Sequence, residues 1–184
     1  MATDSFGPSA LATPANAVTV VRLLIAPLLF AMVASDGASW AAFAFWVVLA
    51  STDGLDGWIA RRHGTTRSGA FLDPLADKVL VLGVMWALVQ TDIFWWLPVL
   101  VIAVREIGIS LYRSWEGRRG ISVPARPWAK VKTVVQDVAV GFALFPPTSD
   151  HHDIANTVLW VAVALTVVTG AQYLLDGAKV RRAV

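Results

Sequence analysis

The chain has no cysteine, which excludes disulfides and thiolate metal sites. It shows no internal repeat and no low-complexity segment. Its opening residues, "MATDSFGPSALA", have neither the basic n-region nor the apolar core of a secretion signal, so the first apolar stretch is expected to stay as a membrane anchor. Basic residues are missing from every second connector, and that gap is informative once the connectors are located.

Apolar sequence is abundant instead. The 184 residues are 57% hydrophobic with a mean hydropathy of +0.63. That is too apolar for an ordinary soluble domain and indicates a polytopic membrane protein. The length allows one sizeable domain. A membrane-spanning helix needs about 20 mostly apolar residues, and six segments qualify: about 18–35, 40–60, 69–90, 93–113, 128–146 and 154–175. Turn and breaker residues separate them in "SDGAS", "RRHGTTRS", "QTD", "EGRRGISVPARP" and "PPTSDHHD". The expected organisation is a disordered tail over 1–12, an all-α six-helix transmembrane domain over 13–178 and a basic tail over 179–184.

Charge placement sets the expected orientation. Arg61, Arg62 and Arg67 follow the second segment, and Arg113, Arg118, Arg119 and Arg126 follow the fourth, with Lys130 and Lys132 just beyond. Lys179, Arg181 and Arg182 close the chain. The alternate connectors hold Asp36, Asp92, Asp150 and Asp153 with His151 and His152. By the positive-inside rule both termini are expected in the cytoplasm. Trp40, Trp95 and Trp96 suit an outer interfacial belt, and Trp58, Trp115 and Trp128 an inner one.

The stretch "DGLDGWIARRHGTTRSGAFLDPLAD" sets Asp53, Asp56, Asp73 and Asp77 within or beside this apolar sequence. The first pair falls in the last turns of an inward-running helix, the second in the first turns of the next, outward-running one. Spacings of three and four put each pair on one helical face. If the faces meet, four carboxylates converge near the cytoplasmic side. Converging anions repel one another and are costly to desolvate, so something positive must sit among them. Arg61 can neutralise one at most. Hard divalent cations suit an all-oxygen site, Mg²⁺ or Mn²⁺ in particular. Two ions about 4 Å apart would serve phosphoryl-type chemistry. Gly57, Ala60 and Gly69 remove bulk nearby. Small residues in membranes more often serve close helix packing, but beside metal ligands they also let a flat base or a phosphate approach the backbone.

These residues resemble the signature of the CDP-alcohol phosphotransferase family, D-x-x-D-G-x-x-A-R, a spacer, then G-x-x-x-D-x-x-x-D. Here it reads Asp53, Asp56, Gly57, Ala60, Arg61, Gly69, Asp73 and Asp77. The spacer between Arg61 and Gly69 is one residue shorter than the family pattern. "NAVTVVR" with Pro27 is similar to the family's entry into its first helix, and "LTVVTGAQYL" to its last. "FLDPLADK", "REIGISLYR" and "KVKTVVQ" resemble the bacterial branch that makes phosphatidylglycerophosphate. The resemblance implies six transmembrane helices around a cytoplasm-facing polar cavity, in a homodimer at the bacterial plasma membrane.

It also implies a reaction: transfer of the phosphatidyl group from CDP-diacylglycerol to an alcohol, with release of CMP. Asp53, Asp56 and Asp73 would hold one Mg²⁺ or Mn²⁺, with Asp56, Asp73 and Asp77 near a second. Asp53, Gly57, Ala60, Arg61, Gly69 and Asp73 would dock the cytidine nucleotide, and Asp77 would be the general base. For this branch the acceptor is sn-glycerol 3-phosphate, which needs cations. Arg105 and Arg113 lie about 80° apart on an ideal helix and can face one cavity. Lys130 and Lys132 lie about 200° apart, so one of them points inward. Lys132 shares a face with Gln136 and is the expected one. Arg118 and Arg119 are read as interfacial residues, and the bland role for Arg105 is an ion pair with Glu106 or a carbonyl. Asp137 is read as a partner for Lys130 or Lys78. Phosphatidylglycerol or inositol phosphate as acceptor, within the same family, and cation transport, outside it, remain open at this point.

Overall fold

A computed structural model describes the backbone of residues 14–63, 69–118, 128–149 and 151–183, and the side chains of 17–52, 75–117, 131–149 and 151–180. Among the described residues there are six α-helices and no strand. They are α1 (Pro14–Asp36), α2 (Trp40–His63), α3 (Gly69–Gln90), α4 (Trp96–Arg118), α5 (Trp128–Leu144) and α6 (His152–Ala183), with a 3-10 turn at Pro146–Thr148 between the last two. The expected tail over 1–12 lies outside the described residues.

The helix ends have local causes. Gly37, at φ 64°, lets the chain leave α1 through a left-handed residue, and its N–H donates to the Val33 carbonyl at 2.9 Å. After α5, Phe145 is extended, as a residue before proline prefers. The stop after α3 explains one difference from the sequence reading, which started the fourth helix at 93. Asp92 adopts φ 58°, and the N–H groups of Ile93 and Phe94 both donate to the Leu88 carbonyl at 3.0 Å. Ile93 and Phe94 are therefore a buried plug closing the end of α3, and α4 begins only at Trp96. At the other extreme α6 continues past the expected 175 to Ala183, carrying Lys179, Arg181 and Arg182 on the helix.

The helix pairs α1–α2, α3–α4 and α5–α6, joined by short connectors, pack as neighbours. Around the bundle, α1 packs on α2, α2 on α5, α5 on α6, α6 on α4, α4 on α3 and α3 back on α1, while α3 and α5 also touch across the middle. Among the described residues the α1–α3 and α5–α6 contacts are the most extensive, and α1 and α3 come especially near each other. They do so because α3 offers no side chain at Gly83, where a Cβ would sit 2.2 Å from Cζ of Phe30. Leu29 and Val33 of α1, Val84 and Leu88 of α3, Ile102 of α4, Val140 and Leu144 of α5 and Leu159 of α6 form one buried core.

Much of the outside is apolar too. Leu24, Leu28, Val104, Leu111 and Leu175 are each more than half exposed, an apolar surface that favours lipid over water. Among the described residues two helices, α1 and α6, are long and apolar enough to cross a membrane by length and composition. Trp40 stacks edge-on against Phe145, and Trp95 contacts Trp96 and Trp160, at one end of the bundle. Trp115 is exposed toward the other end.

Candidate active site

Alternation of helix direction sends the C-terminal turns of α2, α4 and α6 and the N-terminal turns of α3 and α5 to the same end. A polar cavity of about 180 Å³ opens there between α3, α4, α5 and α6, smaller than the roughly 300–1,000 Å³ of sites for drug-sized ligands. Asp77 and Lys78 of α3 line it from one side. Arg105, Glu106, Ser110 and Arg113 line it from α4, at the i, i+1, i+5 and i+8 positions of one face. Lys132 and Thr133 come from the first turns of α5, and Thr169, Gln172, Tyr173 and Asp176 from the last turns of α6.

Its inner wall is a buried polar network joining three helices. The Lys132 ammonium donates to Oε1 of Glu106. The same oxygen accepts from Nη1 of Arg105 at 2.9 Å. Arg105 also donates from Nε to the Thr166 carbonyl at 3.1 Å and from Nη2 to Oγ1 of Thr169 at 3.0 Å. Gln136 donates to Oγ1 of Thr166 at 3.1 Å. Glu106, Lys132, Gln136 and Thr166 are all buried. Burial makes each partner matter, since an unmatched charge in such a place is far costlier than one in water. Among the described residues four cationic side chains and three carboxylates line the cavity, so this part of its wall suits an anion while Asp77 offers a base or a cation ligand.

Among the expected site residues, Asp77, Arg105, Arg113 and Lys132 are brought together around this cavity. Lys132 shares its buried face with Gln136, as expected from their spacing. Asp53, Asp56, Gly57, Ala60 and Arg61 lie on the last turns of α2, Gly69 opens α3 and Asp73 follows one turn later. Their side chains, that of Lys130 and the connector 64–68 lie outside the described residues. Ahead of Asp53, the buried Arg22 of α1 donates from Nε to Oγ1 of Thr52 at 3.3 Å, tying α1 to the segment that carries the first aspartate pair. Among the described residues no three acidic or histidine side chains cluster as a metal site. Asp77 is the one member of the four-aspartate set whose side chain is described, and it faces the cavity. A donor set made only of carboxylates fits Mg²⁺ or Mn²⁺.

Asp137 does not share this cavity. It lies along an apolar groove of about 540 Å³ between α2 and α5, with Trp46, Val47, Val134 and Phe142, whereas Lys78 lines the polar cavity. His151 and His152 are at the far end, where α6 starts. Sequence reasoning missed the bridging role of Glu106 and the whole contribution of α6. A signal for the latter was present: Thr166, Thr169, Tyr173 and Asp176 recur every three or four residues along an otherwise apolar helix.

The profile of the CDP-alcohol phosphatidyltransferase family matches residues 12–168. A "Probable phosphatidylglycerophosphate synthase" of Mycobacterium tuberculosis (strain H37Rv) is 37% identical over 175 residues, covering 91% of this chain and 83% of the relative. The "CDP-diacylglycerol--glycerol-3-phosphate 3-phosphatidyltransferase" of Escherichia coli (strain K12) is 38% identical over 165 residues, 85% of this chain and 90% of the relative. The protein of the same name in Shigella flexneri matches to the same extent, at 38% over 165 residues.

Proposed function

The chain belongs to the CDP-alcohol phosphatidyltransferase family, and from that premise we propose that it is the enzyme that transfers the phosphatidyl group of CDP-diacylglycerol to sn-glycerol 3-phosphate. The products are phosphatidylglycerophosphate and CMP. The observation that carries the acceptor assignment is the cavity with Asp77 on one wall and Lys132, Arg105 and Arg113 on the other. A small phosphorylated alcohol suits such a pair of walls, with its phosphate toward the cations and its hydroxyl toward the carboxylate.

The acceptor hydroxyl attacks the phosphorus that carries the diacylglycerol. A new P–O bond forms, the bond to the CMP phosphate breaks, and CMP leaves with that electron pair. Asp77 takes the hydroxyl proton; positioned general bases of this kind contribute about 10²–10⁴-fold. Asp53, Asp56, Asp73 and Asp77 would hold two divalent ions, Mg²⁺ or Mn²⁺, and these would supply positive charge against the pyrophosphate and the leaving nucleotide. Asp53, Gly57, Ala60, Arg61, Gly69 and Asp73 form the cytidine-nucleotide site. Arg113, Lys130 and Lys132, with Arg105 behind them, supply the positive field for the acceptor phosphate.

The donor joins acyl chains that belong in the bilayer to a nucleotide that belongs in water. A six-span arrangement with the cavity at the cytoplasmic face of the bacterial plasma membrane serves both. The helix ends on that side carry Arg61, Arg62, Arg118, Arg181 and Arg182, which supports the orientation, with both termini inside. A homodimer is part of this reading.

The deciding assay uses purified protein with CDP-diacylglycerol, Mn²⁺ and labelled sn-glycerol 3-phosphate. CMP release coupled to lipid-extractable label is the expected result. Phosphatidylglycerol and inositol phosphate in place of glycerol 3-phosphate test the acceptor. No CMP with any acceptor, together with cation flux in liposomes, would sink the enzyme reading.

A further inference from the structure

Lysine is a poor anchor by itself: its ammonium rides on a four-carbon stem that turns freely. A lysine that must meet a phosphate at one place in an open cavity needs something to hold it there. Lys132 is held by Glu106, and Glu106 is in turn held by Arg105, whose three nitrogens are all engaged. Two of those engagements reach α6, at the Thr166 carbonyl and the Thr169 hydroxyl. The helix can lie flush on the guanidinium because position 170 is glycine; a Cβ there would sit 3.2 Å from Nε and 3.3 Å from Cγ of Arg105. Thr169 is itself fixed, donating to the Leu165 carbonyl at 2.7 Å, which leaves its lone pair for Arg105.

We infer that Glu106 and Thr169 are positioning residues for the acceptor site, acting through Lys132: α6 holds Arg105, Arg105 holds Glu106, and Glu106 holds the Lys132 ammonium at the cavity wall. Two cations share one carboxylate within this chain of contacts, so one positive charge is left over for the incoming phosphate. An ammonium has three donors, and Glu106 takes one. Arg105, bonded at every nitrogen, is the strut of the assembly, and Lys132 is its working end. This rests on the reading of the cavity as the acceptor site.

Charge and position predict opposite signs for one substitution. Glu106→Gln removes a negative charge from beside the phosphate, so charge alone would lower the KM for sn-glycerol 3-phosphate. Loss of the hold on Lys132 raises it. The experiment measures both KM values and the unfolding midpoint for Glu106→Gln, Thr169→Val and Thr169→Ser in the full-length protein, with Lys132→Met as reference. The expected result is a rise in the glycerol 3-phosphate KM of about tenfold for Glu106→Gln and Thr169→Val, the worth of one charge-assisted hydrogen bond. The KM for CDP-diacylglycerol stays unchanged, and Thr169→Ser, which keeps the hydroxyl, behaves as wild type. If Glu106→Gln does not fold, the threonine pair carries the test. A glycerol 3-phosphate KM that is unchanged or lowered in Glu106→Gln and Thr169→Val, while Lys132→Met raises it, overturns the inference alone. If Lys132→Met also leaves that KM unmoved, the acceptor-site reading fails and this inference with it.

Discussion

Replacing Lys132 by methionine removes the ammonium while keeping an unbranched side chain in a buried position. The loss is confined to one end of the network. Glu106 keeps its 2.9 Å bond from Arg105, and Arg105 keeps its bonds to Thr166 and Thr169 at 3.1 and 3.0 Å, so the α4–α6 seam is unaffected. Removing one partner of a buried pair costs about 3–5 kcal/mol when the other charge is left alone. Here the carboxylate retains a guanidinium, so the cost to folding is expected nearer that of one charge-assisted hydrogen bond, about 1.5–3 kcal/mol. The acceptor phosphate loses a similar contact, which corresponds to roughly 10- to 100-fold in its KM. Steady-state kinetics with sn-glycerol 3-phosphate and CDP-diacylglycerol varied separately would read this, alongside thermal unfolding in detergent. The glycerol 3-phosphate KM should rise by that factor with the CDP-diacylglycerol KM unchanged. An equal rise in both would mean that Lys132 supports the bundle and not the acceptor, and the reasoning from the cavity would be refuted.

Asp77→Asn keeps the size of the side chain but cannot take a proton, so kcat should fall by about 10²–10⁴-fold while the protein still inserts and elutes as wild type in size-exclusion chromatography; normal turnover would remove Asp77 from the chemistry. Chelation of divalent ions should stop CMP release, and added Mg²⁺ or Mn²⁺ should restore it; full activity in excess chelator would contradict the carboxylate site. Gly83→Ala should destabilise the α1–α3 contact, because the new Cβ meets Phe30 at 2.2 Å. The overpacking costs about 1–3 kcal/mol against a helix-propensity gain of up to about 1 kcal/mol, and the unfolding midpoint should fall. Phe30→Leu in the same chain should recover part of it; a midpoint that rises on Gly83→Ala alone would show that the ring has room to move.

The helices were legible because apolar runs of spanning length stand between short breaker-rich connectors, and that pattern is local. The errors were local as well. Ile93 and Phe94 look like the start of a span, but a left-handed residue at Asp92 turns them inward as a plug. The sixth apolar segment looks finished near 175, yet nothing there breaks a helix and α6 runs on to Ala183. Asp137 lines an apolar groove between α2 and α5, and its expected partner Lys130 has its side chain outside the described residues. Three and four residues are enough to put Lys132 with Gln136 on one face, but not to say which neighbour that face meets.

What the sequence determined by itself is the set of helices, the end at which the charged residues collect and the spacing of the aspartates, all consequences of periodicity and hydropathy along one segment at a time. Only the tertiary structure decided that Glu106 holds Lys132, 26 residues away, and that α6 completes the cavity by gripping Arg105 across 61 and 64 residues. Pairing across helices depends on how each is rotated about its axis, and that rotation is set by the packing of all the helices together, such as the seat of Phe30 on Gly83.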